Sequence, residues 1–138
     1  MKTIFIFTII LTSLNTFGQS EIMLAPDYAC EACLSHAKLP KPDTLDCYPN
    51  STKMWLNIVK TTFETLHRKL ETEEGKKLLT DQNSWESYKN VEFAQYDLIV
   101  ADKEKPISLR RRAVISQTRI SKDRATYLLK YLENVNKK

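Results

Sequence analysis

"LLTDQNSWESYKN", Leu78 to Asn90, has the spacing of a helix. Leu78, Gln82, Trp85 and Lys89 recur at four, three and four, which places them on one arc. That arc carries an amide directly beside a large indole, and the pairing admits two readings. If the arc is open, Gln82, Trp85 and Tyr88 line a binding groove. If it is buried, Trp85 belongs to the core, and Gln82 needs hydrogen-bond partners from backbone or a second helix, bracing a helix crossing. The periodicity itself favours burial. Lys89 fits either reading, because its stem can pack while its ammonium reaches water.

Extended outward, the same arc runs through Phe93, Tyr96 and Val100, so this helix spans about 73 to 100. Its acidic start, "ETEE", suits the positive end of the helix dipole. Upstream, Trp55, Val59, Thr62, Phe63, Leu66 and Leu70 mark one face of an earlier helix. That helix is expected to begin after Pro49, capped by Asn50, Ser51 or Thr52, and to end near 73 to 75. Downstream, "ADKEKP" is a polar connector. A helix from Ile107 to about Ile120 follows, with Leu109, Ala113 and Ile120 on a narrow apolar line. Ser121 can then cap a last helix with Ala125, Leu128, Leu129 and Leu132 on its stripe, or the two can run together. The fold class expected is all-α, a small bundle of three to four helices.

The N-terminal region differs. Residues 1–18 read as a signal peptide: a short positive start, the apolar run from Ile4 to Leu11, and small or neutral residues around Gly18. Residues 19–50 form an arm with Pro26, Pro40, Pro42 and Pro49 and with all the cysteines, Cys30, Cys33 and Cys47; a short helix from 28 to 38 fits within it. Residues 51–138 form the helical domain. A chain destined for secretion or the periplasm is expected to oxidise its cysteines. Three cysteines allow at most one internal bridge, either within "CEAC" or from Cys30 or Cys33 to Cys47. Zinc held by Cys30, Cys33, His36 and Cys47 is the competing reading, disfavoured by the oxidising compartment, and no metal is expected.

Catalysis has little to stand on. His36 and His67 lack a recognisable nucleophile motif, and two glycines cannot build a phosphate loop. The chain reads as non-enzymatic and without cofactor. Its formal charge of +4 is too mild for a nucleic-acid footprint. Arg110, Arg111 and Arg112 read as a solvated face or as partners of acids such as Glu71, Glu73 or Glu86. No second apolar run exists, so no stable membrane insertion is expected.

The opening stretch resembles the signature helix of the LprI-like lysozyme-inhibitor domain family of small exported bacterial proteins. The residues that carry the resemblance are Leu78, Gln82, Trp85, Tyr88, Lys89, Asn90 and Glu92. Leu56-Asn57 upstream, and Ser121, Arg124 and Leu128 downstream, match weaker flanking motifs. Phe93 stands where members carry a cysteine. The resemblance implies a non-enzymatic helical protein that occludes a lysozyme, another cell-wall hydrolase or a similar envelope protein. The alternative expectation is an envelope structural or stress module without inhibitory activity, metal-responsive through Cys30, Cys33, His36 and Cys47.

Overall fold

The computed structural model describes residues 24–36 and 44–137; the expected signal peptide lies outside them. Within these residues the chain forms α1 (Ala25–His36), α2 (Thr44–Lys69), α3 (Thr72–Ala101) and α4 (Ile107–Asn136), with no strand. The all-α bundle expected from the periodicity is therefore the fold, with four helices.

Helix direction follows from which residues meet. Arg111 donates to Thr44 Oγ1 at 3.0 Å, and Thr52 and Thr118 share a hydroxyl hydrogen bond at 2.9 Å. α2 and α4 thus run parallel. Arg124 reaches Gln82, Gln117 reaches Asp97, and Arg110 Nε donates to the Val100 carbonyl at 3.0 Å, so α3 runs antiparallel to α4. Short links enforce this: Leu70 and Glu71 join α2 to α3, and Asp102 to Pro106 join α3 to α4. The core is Trp55, Val59 and Leu66 of α2, Leu78 of α3, and Ala125 and Leu128 of α4, with Phe63, Leu70, Trp85 and Leu132 partly buried around it.

Several expected boundaries move. α2 begins at Thr44, not after Pro49, so the boundary placed at residue 50 falls inside a helix. Pro49 deletes one backbone hydrogen bond there, but the turn is held by other means. Leu45 and Cys47 are buried, and the Thr118 hydroxyl lies 3.4 Å from the Tyr48 carbonyl. Ser51 and Thr52 are consequently not caps. Both are buried against neighbours, Ser51 Oγ donating to the Pro26 carbonyl at 3.0 Å. Ser121 is no cap either: α4 is continuous through it, and its buried hydroxyl donates to the Gln117 carbonyl one turn back at 3.0 Å. Small hydroxyl residues here let α2 and α4 approach closely, and that competing role is what the cap reading missed.

α1 is secured to the bundle by Cys33–Cys47, with a Cα–Cα distance of 5.6 Å, and by an ion pair between Lys122 and Asp27 at 3.1 Å. The bridge resolves the pairings that the sequence left open and leaves Cys30 as the free thiol. It spans 14 residues, so its reduction, or Cys33→Ser, is expected to cost about 2–3 kcal/mol through the entropy restored to the unfolded chain. Thermal melts with and without reductant check this.

Candidate functional site

The α3–α4 crossing brings together two polar positions of the motif, Gln82 and Arg124. Gln82 is 4% exposed and Arg124 8% exposed, unusually low values for these residue types. Gln82 Oε1 accepts from Arg124 Nε at 3.0 Å and from Nη2 at 2.7 Å. Arg124 Nη1 pairs with Asp81 Oδ2 at 2.7 Å, and Gln82 Nε2 donates to Glu86 Oε1 at 3.1 Å. Every arm of the guanidinium is thereby occupied, which is what makes a buried charge tolerable.

Aromatic rings enclose the same group. The Arg124 guanidinium carbon lies 5.6 Å from the Trp85 ring centre and 5.1 Å from that of Tyr127. Lys89 Nζ lies 5.4 Å from the Trp85 ring, so two cations share one indole. Trp85 itself sits at the margin of the core, partly exposed; the tryptophan at its centre is Trp55, fully buried on α2. The reading of Trp85 as core is corrected to that extent. α3 leans on α4 and touches α2 mainly near their shared turn, so one side of its arc stays open.

The remaining motif residues divide by burial. Leu78 and Leu128 are buried in the core; Leu56 and Glu92 are partly exposed; Asn57, Tyr88 and Asn90 lie at the surface. Phe93, in the position of the family's cysteine, is partly buried. The groove of Gln82, Trp85 and Tyr88 is not assembled, because Gln82 is turned inward and spent on Arg124 while Tyr88 is 52% exposed. Arg124 and Tyr127 complete the cluster. Arg124 was visible only as a flanking motif position, and Tyr127 carried no sequence signal beyond its place three residues later.

The arginine run is used structurally. Arg110 and Arg111 bind Val100 and Thr44, and Arg112 is exposed. These contacts replace the pairings expected with Glu71, Glu73 or Glu86. His67 is exposed and stacks on Phe63, ring centres 5.7 Å apart. His36 Nδ1 contacts the Ala32 carbonyl at 2.6 Å and Ser35 Oγ at 3.3 Å, and Ser35 Oγ itself donates to the Ala32 carbonyl at 2.8 Å.

Cys30 lies in a cavity of about 460 Å³ between α1, α2 and α4, beside Tyr48, Arg119 and Lys122. Burial, with Asp27 and Glu31 adding to it, pushes its thiol above the ordinary range, so it stays protonated at neutral pH. The bridge consumes Cys33 and Cys47, and among the described residues no cluster of three or more His, Cys, Asp or Glu is arranged to hold a metal. Among the described residues no helix is long and apolar enough to cross a membrane. Comparison with family models, with curated proteins and with solved structures finds no match to this chain.

Proposed function

We propose that this chain is an exported, non-enzymatic helical protein that binds and occludes a cell-wall hydrolase, a lysozyme first, or a similar envelope protein. The observation that carries this reading is the Gln82–Arg124 bracket. Two polar positions of the motif, 42 residues apart, meet in a buried bidentate contact. Such a device stiffens a surface and leaves no group free for acid–base or nucleophilic work.

The charge pattern supplies a direction of approach. α3 carries six acidic residues against three lysines, while α4 carries seven basic residues against two acids. Glu71, just before α3, and Glu73, Glu74, Asp81 and Glu86 in its first half are exposed, with Lys76 and Lys77 among them and Lys76 paired to Glu73. This local acidic excess on a mildly basic chain suits a basic partner, such as a basic lysozyme, by steering its approach. Export follows from the reading of residues 1–18 and is consistent with a disulfide in the fold. The metal-responsive alternative is weakened, since the bridge removes two of its four ligands.

The test is lysozyme turnover on cell walls with the purified protein at micromolar concentration. Turnover is expected to fall in proportion to bound inhibitor, and the effect is expected to weaken when Glu71, Glu73 and Glu74 are changed together to lysine. Unchanged turnover at saturating protein would remove lysozyme as the target.

A further inference from the structure

α1 crosses the start of α2 along one short seam. Pro26, Cys30 and Cys33 recur at four and three on α1, so they share a stripe. Both ends of that stripe are tied to α2. Ser51 Oγ donates to the Pro26 carbonyl at 3.0 Å, and Cys33 is bonded to Cys47, one turn before Ser51. Cys30 therefore lies between the two ties, one turn from the bridge. It lines its cavity together with Ser51 and with Tyr48, the chain neighbour of Cys47. All the cysteines of the chain thus meet on this seam, and Cys30 is the one left as a thiol.

Reach and access decide what this thiol does to its neighbouring bridge. Residues three apart on a helix have Cα atoms about 5 Å apart, inside the ~4.4–6.8 Å that a disulfide spans. Cys33 and Cys47 stand at 5.6 Å. Cys33 thus has two cysteines within bonding reach, one on its own helix and one across the seam. Access separates the two ends of the bridge. Cys33 is exposed, whereas Cys47 is 2% exposed. A thiolate one turn away meets the Cys33 end without opening the core, and the buried end is the leaving group.

We propose that the three cysteines form a thiol–disulfide relay, in which Cys30 moves the bond from between α1 and α2 to within α1. The Cys30 thiol gives its proton to solvent, and the thiolate attacks Cys33 Sγ. A Cys30–Cys33 bond forms as the Cys33–Cys47 bond breaks, and Cys47 leaves as a thiolate that takes a proton back. One disulfide and one thiol are present before and after, so no oxidant or reductant is consumed. The consequence is mechanical. The ties between α1 and the bundle become noncovalent, among them the Lys122–Asp27 ion pair and the Ser51–Pro26 hydrogen bond. The groups around Cys30 set when the relay runs. Asp27 and Glu31 on α1 oppose a thiolate, Tyr48 faces it from α2, and Arg119, Lys122 and Asp123 of α4 border the same cavity. Burial first, then the two carboxylates of α1, keep the thiol protonated at neutral pH. The Cys33–Cys47 bridge therefore persists there, and exchange accelerates as pH rises.

The test follows the bond in folded protein. Protein made from the full-length sequence, oxidised to the Cys33–Cys47 form, is incubated without denaturant at pH 7, 8 and 9. Samples are quenched in acid, unfolded, and alkylated with a maleimide while still acidic. Cleavage after Glu31 separates Cys30 from Cys33, so mass spectrometry reads which bond each molecule holds. Alkylated Cys30 is expected to give way to alkylated Cys47 in a measurable fraction, with an initial rate that rises about tenfold per pH unit. Cys30→Ser, which has no internal nucleophile, is expected to keep Cys33–Cys47 at every pH. Cys30 as the sole alkylated residue at all three pH values overturns the relay, as does alkylated Cys33 in place of Cys47. An exchange rate equal to the rate of global unfolding at the same pH also overturns it, because the bond would then move in the unfolded chain rather than along the seam.

Discussion

Trp55→Ala is expected to destabilise the fold by about 3–5 kcal/mol, whereas Trp85→Ala is expected to cost about 1–2 kcal/mol. Both tryptophans lie on apolar helical arcs, and the difference comes from what surrounds each. Trp55 is fully buried within the α2–α4 packing, with Lys122 Nζ 5.8 Å from its ring centre. Its removal leaves a cavity that backbones held close by Thr52–Thr118 and the buried Ser51 and Ser121 cannot collapse to fill. One contribution runs the other way, because the Trp55 indole Nε1–H meets no acceptor among the described residues. Trp55→Phe therefore gives up a buried, unsatisfied donor along with some volume, and its expected cost is only about 1 kcal/mol. Trp85 loses partial burial and its contacts with Lys89 and Arg124, worth about 0.5–1 kcal/mol each where solvent reaches them. Urea unfolding of the three variants, at unchanged m-value, measures the ranking. Equal costs for Trp55→Ala and Trp85→Ala would mean that α3 is packed from a side the bundle leaves open.

The contrast marks where sequence reasoning succeeds and where it stops. Helix existence and helix faces were legible: Trp55, Val59, Thr62 and Leu66 are all buried, as their spacing at three and four requires. So was the limit of one bridge among three cysteines. Periodicity reports an apolar arc, however, and not how many neighbours cover it. α2 is covered by both α1 and α4, so its arc is buried as far as Leu66; α3 leans mainly on α4, and its arc is buried only as far as Gln82. Local rules failed where tertiary contacts outweighed them. Pro49 reads as a boundary until Cys33 and Thr118 hold its turn from outside. Ser121 reads as a cap until a neighbouring helix needs a small residue in its place. The need of Gln82 for a partner was legible too, but no spacing rule connects two residues 42 positions apart.

That connection gives the second large effect. Gln82→Leu is expected to cost about 3–4 kcal/mol, near the low end for stripping a partner from a buried charge, because Asp81 remains on Arg124. Arg124→Met is expected to cost less, about 2–3 kcal/mol. It leaves the neutral Gln82 oxygen unsatisfied rather than a charge, and the methionine retains packing against Trp85 and Tyr127. The double variant removes both members and leaves neither orphaned, so it is expected to be more stable than the sum of the single costs predicts, by about 1–3 kcal/mol of coupling. Denaturant unfolding of the four proteins closes the cycle. Additive costs would mean that Gln82 and Arg124 are held independently, by Glu86 and Asp81, and that the crossing is set by apolar packing alone. Non-additivity at an unchanged α3–α4 geometry would make the amide and guanidinium the element that sets the register of the two helices. The polar residues of "LLTDQNSWESYKN" would then matter by placing the acidic first half of α3 on the outer surface, rather than by touching a partner themselves.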